Sequence, residues 1–133
     1  MDEKRFRDEV VNLARYFERI EYSEKDRWII IVNYPLPPQV NLKFTPLLIK
    51  IPHGYPFVPP REIYLKKGLS LMENMRDHYF EDWDSTTASG WAWLCCEIKN
   101  WLPSSTDILL GDNLVTLTET VRSMLSAYNK EDI

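Results

Sequence analysis

The chain has 133 residues, of which 44% are hydrophobic and 27% charged, and its formal net charge is −4. This length predicts a single domain, residues 1–133, that can bury a core without a disulfide or metal staple. An aromatic content of 13% argues against a disordered chain. The apolar runs are too short for a membrane span, and the acidic balance argues against nucleic-acid binding.

Apolar residues recur at helical spacing over residues 2–19 and predict an amphipathic helix with charged residues on its other faces. The following segments are rich in β-branched and aromatic residues, and polar or proline-containing stretches separate them. They predict an antiparallel meander, because no helix intervenes between them. The predicted strands are 20–22, 28–34, 42–51 and 62–65.

Residues 66–92 are mostly polar, without a clear periodicity, and we predict a long loop of the kind that is often functional. A second amphipathic helix is predicted over residues 113–128, with Asp112 or Gly111 as its cap. The order of helix, meander, loop and helix indicates an α+β fold. The N-terminus carries no apolar signal region, which predicts a cytoplasmic protein.

The cysteines are Cys95 and Cys96, which are neighbours in the chain. Adjacent cysteines pair with difficulty, because the disulfide constrains the intervening peptide. A structural zinc site needs about four ligands, and the cysteines with His53 and His78 lack the usual paired spacing. We therefore predict reduced thiols, no metal and no cofactor, in keeping with a reducing cytoplasm.

The most specific local feature is the segment Ile51–Pro60, which holds four prolines and one glycine. Proline removes a ladder donor and glycine weakens strand pairing, so the segment is expected to end the third strand in a rigid turn. From this turn, Tyr55 and Phe57 are predicted to pack inward. His53 is predicted to be a turn residue only.

The run Leu48–Tyr64 resembles the ubiquitin-conjugating enzyme family, whose third strand leads into Phe-Pro, Tyr-Pro-Phe and Pro-Pro followed by a basic residue. Here Ile51 stands where the family has Phe. Downstream, Leu94–Ile98 and then Trp101-Leu102-Pro103 are similar to the family's active-site segment and its Trp-x-Pro. The resemblance implies a UBC-like fold with an N-terminal helix, a four-stranded antiparallel meander, an active-site loop and a C-terminal helix.

The chain also departs from the family pattern. The family's His-Pro-Asn triplet is absent, and His78 is the only histidine between the fourth strand and the cysteines, with Asn74 the nearest asparagine. The stretch between Cys95 and Trp101 is shorter than in the common form of the family. Eukaryotic members usually continue with further helices, so the resemblance is to a compact, bacterial-type member.

The resemblance implies a ubiquitin-like-protein conjugating enzyme. In such an enzyme a Cys thiolate accepts the C-terminal carbonyl of the modifier from an activating enzyme and passes it to an amine of a target protein. The motif register favours Cys95 as this nucleophile. Cys96 then matches the apolar residue behind it, and a buried free Cys behaves as a small hydrophobe.

The resemblance also implies a donor for the oxyanion of the tetrahedral intermediate, a role that the family gives to the Asn of the triplet. The candidates here are His78, Asn74 and the backbone amides of residues 85–90. His78 is equally consistent with a surface loop residue that has no catalytic role. Asp107 and Asp112 are candidates for deprotonating an incoming Lys. Helix capping explains Asp112 equally well.

In the family the activating enzyme binds the first helix, and the resemblance implies that Lys4, Arg5 and Arg7 would contact it here. A solvent-exposed helix face explains these three basic residues equally well. A ligase would contact Leu102-Pro103. The alternative function is a non-catalytic UBC-like or RWD-like protein-interaction module, which the missing triplet favours. A Cys-His hydrolase is less supported, since no Asn or Asp is placed to complete a triad.

Overall fold

The computed structural model describes residues 3–126, apart from the side chain of Asn74. Within that range the fold is α+β, with a helix at the N-terminus, an antiparallel sheet of six strands and a helix at the C-terminus. Two 3₁₀ turns, Glu73–His78 and Ile108–Leu110, complete it. The helices and strands are α1 (Glu3–Ala14), β1 (Ile20–Ser23), β2 (Trp28–Pro35), β3 (Phe44–Lys50), β4 (Glu62–Lys66), β5 (Tyr79–Phe80), α2 (Ser85–Ala88), β6 (Trp91–Leu94) and α3 (Leu114–Ser126).

The strands lie in the order β1-β2-β3-β4-β6-β5, and every neighbouring pair is antiparallel. The four-stranded meander that the sequence predicts is confirmed for β1 to β4. The sheet is nevertheless wider than predicted, because Trp93 of β6 pairs with Tyr64 of β4, and Phe80 of β5 then pairs with Trp93. A two-residue strand such as β5 is too short to leave a pattern in the sequence.

The prediction of a loop over residues 66–92 is therefore wrong. The segment contains a 3₁₀ turn, β5, α2 and the start of β6. The helix α2 begins at a capping box, in which the Asp84 carboxylate accepts from the Thr87 amide and the Thr87 hydroxyl accepts from the Asp84 amide, both at 2.9 Å. Such reciprocal bonds stabilise a helix start even in a polar segment.

The predicted N-terminal helix over residues 2–19 is too long, because α1 ends at Ala14. The amides of Tyr16 and Phe17 both donate to the carbonyl of Leu13 at 3.0 Å, which turns the chain back toward the sheet. The apolar spacing continues to Phe17 because that side chain still packs against the core after the turn. Position 2 lies outside the described residues.

The predicted cap of the second long helix is also wrong. The helix α3 begins at Leu114, and its cap is Asn113: the Asn113 carboxamide accepts from the Thr116 amide, and the Thr116 hydroxyl accepts from the Asn113 amide, each at 3.0 Å. Asp112 and Gly111 instead lie against the preceding loop. The predicted end of this helix, at residue 128, is outside the described residues.

The main core lies between one face of the sheet and the two long helices. Leu13 of α1, Ile49 of β3 and Leu117 of α3 are fully buried in it. Leu48 and Tyr64 are also buried, but they point to the opposite face, since neighbouring strand residues alternate. Residues 81–90 cover that opposite face, where the Tyr64 hydroxyl donates to the Asp84 carboxylate at 2.7 Å.

The proline-rich turn after β3 agrees with the prediction for one of its two aromatic residues. Tyr55 is buried as predicted, whereas Phe57 is 68% exposed. The difference arises because the amide of Val58 donates to the carbonyl of Gly54 at 2.9 Å. This tight turn directs Phe57 away from the core and into solvent.

Candidate active site

The two cysteines follow β6 and continue its alternation between the two faces of the sheet. Trp93 and Cys95 are partly exposed, whereas Leu94 and Cys96 are buried. Burial raises the pKa of the Cys96 thiol to about 11, and the neighbouring Cys95 adds to the shift through its charge. Since the thiolate is the nucleophile, the raised pKa and the burial of Cys96 disfavour its reaction, and Cys95 is the more accessible of the two thiols.

His78 lies directly beside Cys95. The pairing of β5 with β6, continued by one residue, sets His78 opposite Cys95, and the Cys95 amide donates to the His78 carbonyl at 2.7 Å. His78 is exposed. The structure thus brings the backbones of Cys95 and His78 together, although 17 positions separate them in the chain. His78 is not among the residues that line the groove at Cys95.

Cys95 opens into a surface groove with a volume of about 390 Å³. One wall is formed by Pro59 and Arg61, which follow the proline-rich turn, and another by Trp93. The Trp93 indole N–H donates to the Arg61 carbonyl at 3.0 Å and fixes these walls to each other. The remaining lining residues are Cys96, Glu97 and Ile98.

The proline-rich turn and the Trp-x-Pro segment meet in space. The indole N–H of Trp101 donates to the carbonyl of Pro56 at 2.6 Å, and the Trp101 and Tyr55 rings lie 6.2 Å apart between centroids. Both motifs therefore belong to one packed unit.

The loop after Trp101 is held against the start of α3. The Leu102 amide donates to the Asp112 carboxylate at 2.8 Å, and the Asp112 amide donates to the Leu102 carbonyl at 2.9 Å. Asp112 is thus a structural partner of this loop. Asp107 caps the 3₁₀ turn that follows, since its carboxylate accepts from the Leu109 amide at 2.9 Å.

A buried polar network behind this loop was missed by the sequence analysis. The Glu9 carboxylate is buried and accepts from the Tyr55 hydroxyl, the Leu114 amide at 3.0 Å and the Arg5 guanidinium at 3.2 Å. Burial raises the pKa of Glu9, and these hydrogen bonds and the Arg5 charge partly offset the shift. The signal in the sequence is a carboxylate placed at helical spacing between Phe6 and Leu13.

Arg5 is therefore not part of an open basic face. Its guanidinium also donates to the Ser104 carbonyl at 2.6 Å, and only 10% of its side chain is exposed. Lys4 and Arg7 are exposed, and they pair with acidic side chains: Lys4 with Asp8 at 2.7 Å, and Arg7 with Glu24 at 3.4 Å. Of the basic residues predicted to face an activating enzyme, Lys4 and Arg7 alone remain on the surface.

An aromatic stack was also missed. The Trp83 and Trp93 rings are stacked at 4.6 Å between centroids and 14° between planes. Phe80 lies within 5.5 Å of both rings. Trp83 lies in the segment predicted to be a long polar loop, and only the fold of residues 81–90 over the sheet brings it to Trp93.

Several exposed apolar side chains lie on the turn and the loop on either side of Trp101. Phe57, Leu102 and Leu110 are all more than half exposed. Within residues 3–126, no group of three or more His, Cys, Asp or Glu side chains is arranged to hold a metal ion. No helix in the same range is long and apolar enough to cross a membrane.

No family model matches the chain, and no curated protein or solved structure is significantly similar to it.

Proposed function

We propose that the chain is a conjugating enzyme for a ubiquitin-like modifier, with a UBC-like fold and Cys95 as its nucleophile. The observation that carries the proposal is the thiol of Cys95, which follows a sheet strand and opens into a groove while its neighbour Cys96 is buried. The packing of Trp101 against Tyr55 and Pro56 supports it, because it joins the two motifs on which the family resemblance rests.

The proposed chemistry is two successive acyl transfers. In the first, the Cys95 thiolate attacks the carbonyl carbon of a modifier held as a thioester by its activating enzyme. A new C–S bond forms, the old C–S bond breaks, and the departing thiolate takes up the proton that Cys95 lost. In the second, a neutral amine of the target protein attacks, a C–N bond replaces the C–S bond, and Cys95 recovers a proton from the amine.

His78 is the candidate donor to the oxyanion in both steps. Its carbonyl already accepts the Cys95 amide, so its backbone is fixed beside the nucleophile. Replacing one oxyanion donor costs about 10²–10³ in rate in enzymes that rely on it. We expect His78→Ala to slow acylation of Cys95 and His78→Gln to restore part of the rate, with the stability of both variants checked by thermal unfolding.

The partners follow from the same proposal. The activating enzyme would contact α1 through Lys4 and Arg7, and a ligase, where one is used, would contact the exposed corner at Phe57 and Leu102. The target protein supplies the amine. We place these steps in the cytoplasm, where thiols stay reduced, and they require no metal, cofactor, nucleic acid or membrane.

The experiment isolates a tagged form of the chain from its own cells without reductant and searches for a covalent adduct by mass spectrometry. The expected adduct is released by added thiol, is lost in Cys95→Ala and persists in Cys96→Ala. Cys95→Ser is expected to hold the modifier as an ester that resists thiols. Absence of any adduct on the wild-type chain, or an adduct that survives Cys95→Ala, would overturn the proposal.

A second candidate is a non-catalytic interaction module on the same scaffold. The observation that favours it is the absence of a His-Pro-Asn triplet from the sequence. This module predicts that partner proteins bind equally well after both Cys95 and Cys96 are replaced by Ala. The adduct experiment separates the two functions, because the module forms no thioester.

A further inference from the structure

A second groove, the edge groove, lies at the side of the sheet where β2 continues past the start of β1. β1 begins at Ile20, opposite Ile31, and β2 extends to Pro35. The groove has a volume of about 430 Å³, which is in the range of small-molecule sites. It shares no lining residue with the groove at Cys95.

Two arginines from distant parts of the chain line the edge groove. Arg19 precedes β1, and Arg122 belongs to α3. Within residues 3–126, neither guanidinium forms an ion pair with a carboxylate. Glu18 is the one acidic residue among those that line the groove, so the groove is locally positive in a chain of net charge −4. Such a groove attracts an anion, and the planar fork of arginine suits a phosphate.

The backbone and side-chain contacts of the groove hold both arginines in place. The amide of Val32 donates to the carbonyl of Arg19 at 3.0 Å. On the other side, the buried Tyr34 hydroxyl donates to the Thr118 carbonyl at 2.5 Å. Burial raises the pKa of Tyr34, and the charge of Arg122 beside it partly offsets the shift. The arginines are therefore largely preorganised, which lowers the entropic cost of binding a ligand.

Two aromatic rings also line the edge groove. Tyr16 is 65% exposed and Phe44 is 53% exposed. Within the described part of the chain, neither ring is stacked on or tilted against another aromatic ring. Their faces are thus available to a flat group, and nucleobases stack on exposed aromatic side chains with little dependence on the base.

We propose that the edge groove binds a nucleoside phosphate, with the base against Tyr16 and Phe44 and the phosphate on Arg19 and Arg122. An inorganic anion would use only the arginines, and an uncharged apolar ligand would leave their charges unmatched. A nucleoside phosphate satisfies both parts of the groove.

This site goes beyond the proposed conjugating function and does not depend on Cys95. In the sheet, β3 and β4 lie between β2 and β6. At the usual spacing of strands, β2 and β6 are therefore about 14 Å apart. A nucleotide in the edge groove and a reactant at Cys95 would occupy separate places.

The test measures binding to the full chain by isothermal titration calorimetry at low ionic strength. The probes are AMP, adenosine and inorganic phosphate. We expect AMP to bind at least tenfold more tightly than adenosine or phosphate, because it alone contacts both the rings and the arginines. Equal affinities for AMP and phosphate would overturn the proposal, since the rings would then contribute nothing.

Substitutions separate the two halves of the site. We expect Arg122→Gln and Arg19→Gln each to weaken AMP binding about tenfold and to leave adenosine binding unchanged. Phe44→Ala is expected to weaken AMP and adenosine about fivefold and to leave phosphate unchanged. The matched controls are Arg15→Gln and Phe57→Ala, which remove an exposed arginine and an exposed ring outside this groove and are expected to leave AMP binding unchanged.

Thermal unfolding checks that each variant is folded. If Arg122→Gln fails to fold because Arg122 lies beside Tyr34, Arg19→Gln carries the test, since the Arg19 side chain is exposed. Absence of AMP binding to the wild-type chain, or AMP binding that neither folded arginine variant weakens, would overturn the proposal. Phenyl phosphate binding as tightly as AMP would also overturn it, because the groove would then fit a phosphorylated aromatic side chain.

The nucleotide site and the conjugating function can fail separately. Cys95→Ala is expected to bind AMP as the wild-type chain does, although it cannot form the thioester adduct. Loss of AMP binding in Cys95→Ala would contradict the separation of the two grooves.

Discussion

At the residue scale, the contrast between Cys95 and Cys96 is the central feature. Both are free thiols one position apart, yet Cys96 packs in the core and Cys95 opens into the groove. The reason is the two-residue repeat of an extended strand, which sends neighbouring side chains to opposite faces. A one-residue shift of β6 against β4 would exchange the two environments.

We expect a neutral-pH alkylating reagent to label Cys95 and to leave Cys96 unmodified in the folded protein. Burial raises the pKa of Cys96 to about 11, so its thiolate becomes abundant only as the pH approaches that value. Peptide mass spectrometry after timed labelling measures both sites. The fully denatured chain is the control, in which the two cysteines should label at similar rates. Faster labelling of Cys96 in the native protein would contradict the assignment of the nucleophile.

At the element scale, buried polar contacts join α1, α3, the proline-rich turn and the loop after Trp101. Glu9 of α1 accepts from Tyr55 in the proline-rich turn and from Leu114 at the start of α3, and Arg5 donates to Ser104 in the loop after Trp101. Burying a carboxylate costs free energy of folding unless the group is hydrogen-bonded. Each of these donors therefore helps to offset the cost of burying Glu9.

We expect Tyr55→Phe to lower the free energy of unfolding by about 1–3 kcal/mol, because it removes a hydrogen bond from a buried carboxylate. Glu9→Gln is expected to be destabilising as well, since an amide group cannot accept all three donors. A double-mutant cycle measured by urea unfolding should then show that the double variant loses less than the sum of the single losses. Strict additivity would mean that the two side chains act independently.

Gly111 allows the loop and α3 to approach each other. A Cβ at this position would lie 2.6 Å from the Leu102 carbonyl oxygen and from the Ser104 amide nitrogen. We expect Gly111→Ala to destabilise the protein by about 3 kcal/mol, at the upper end of overpacking effects. The matched control is Gly68→Ala: Gly68 has a positive φ but open space around it, and left-handed backbone alone costs about 1–2 kcal/mol. Equal losses would contradict the steric argument.

At the scale of the whole molecule, the sheet is covered on both faces. The long helices cover one face, and residues 81–90 cover part of the other, where Leu48 and Tyr64 are buried. The two long helices and the sheet share one core, and hydrogen bonds join residues 81–90 to the other face of the sheet. They are therefore expected to unfold together.

We expect tryptophan fluorescence and far-UV circular dichroism to report the same unfolding midpoint in urea. Four of the five tryptophans lie in the sheet or in residues 81–90, so fluorescence mainly follows these parts, whereas circular dichroism is dominated by α1 and α3. In Tyr55→Phe both midpoints are expected to fall by the same amount. A fluorescence transition at clearly lower urea would show instead that residues 81–90 open before the rest of the fold.

The sequence by itself determined the α+β class, the first four strands and the existence of both long helices. These features depend on local patterns: alternation in the strands and helical spacing of apolar residues such as Phe6, Leu13 and Leu117. The two motifs that carry the family resemblance were likewise readable from the chain. The C-terminal end of the first helix and the cap of the last were not, because a tight turn after Leu13 and the side chain of Asn113 decide them.

Only the tertiary structure decided which cysteine faces solvent, what lies beside it and what covers the sheet. The exposure of Cys95 depends on the register of β6, and its contact with His78 depends on the pairing of β6 with β5. The stack of Trp83 on Trp93 joins residues with no common periodicity. Long-range pairing of this kind leaves no local pattern in the sequence. The candidate site of this acidic, 133-residue chain is therefore defined only by the pairing of its strands.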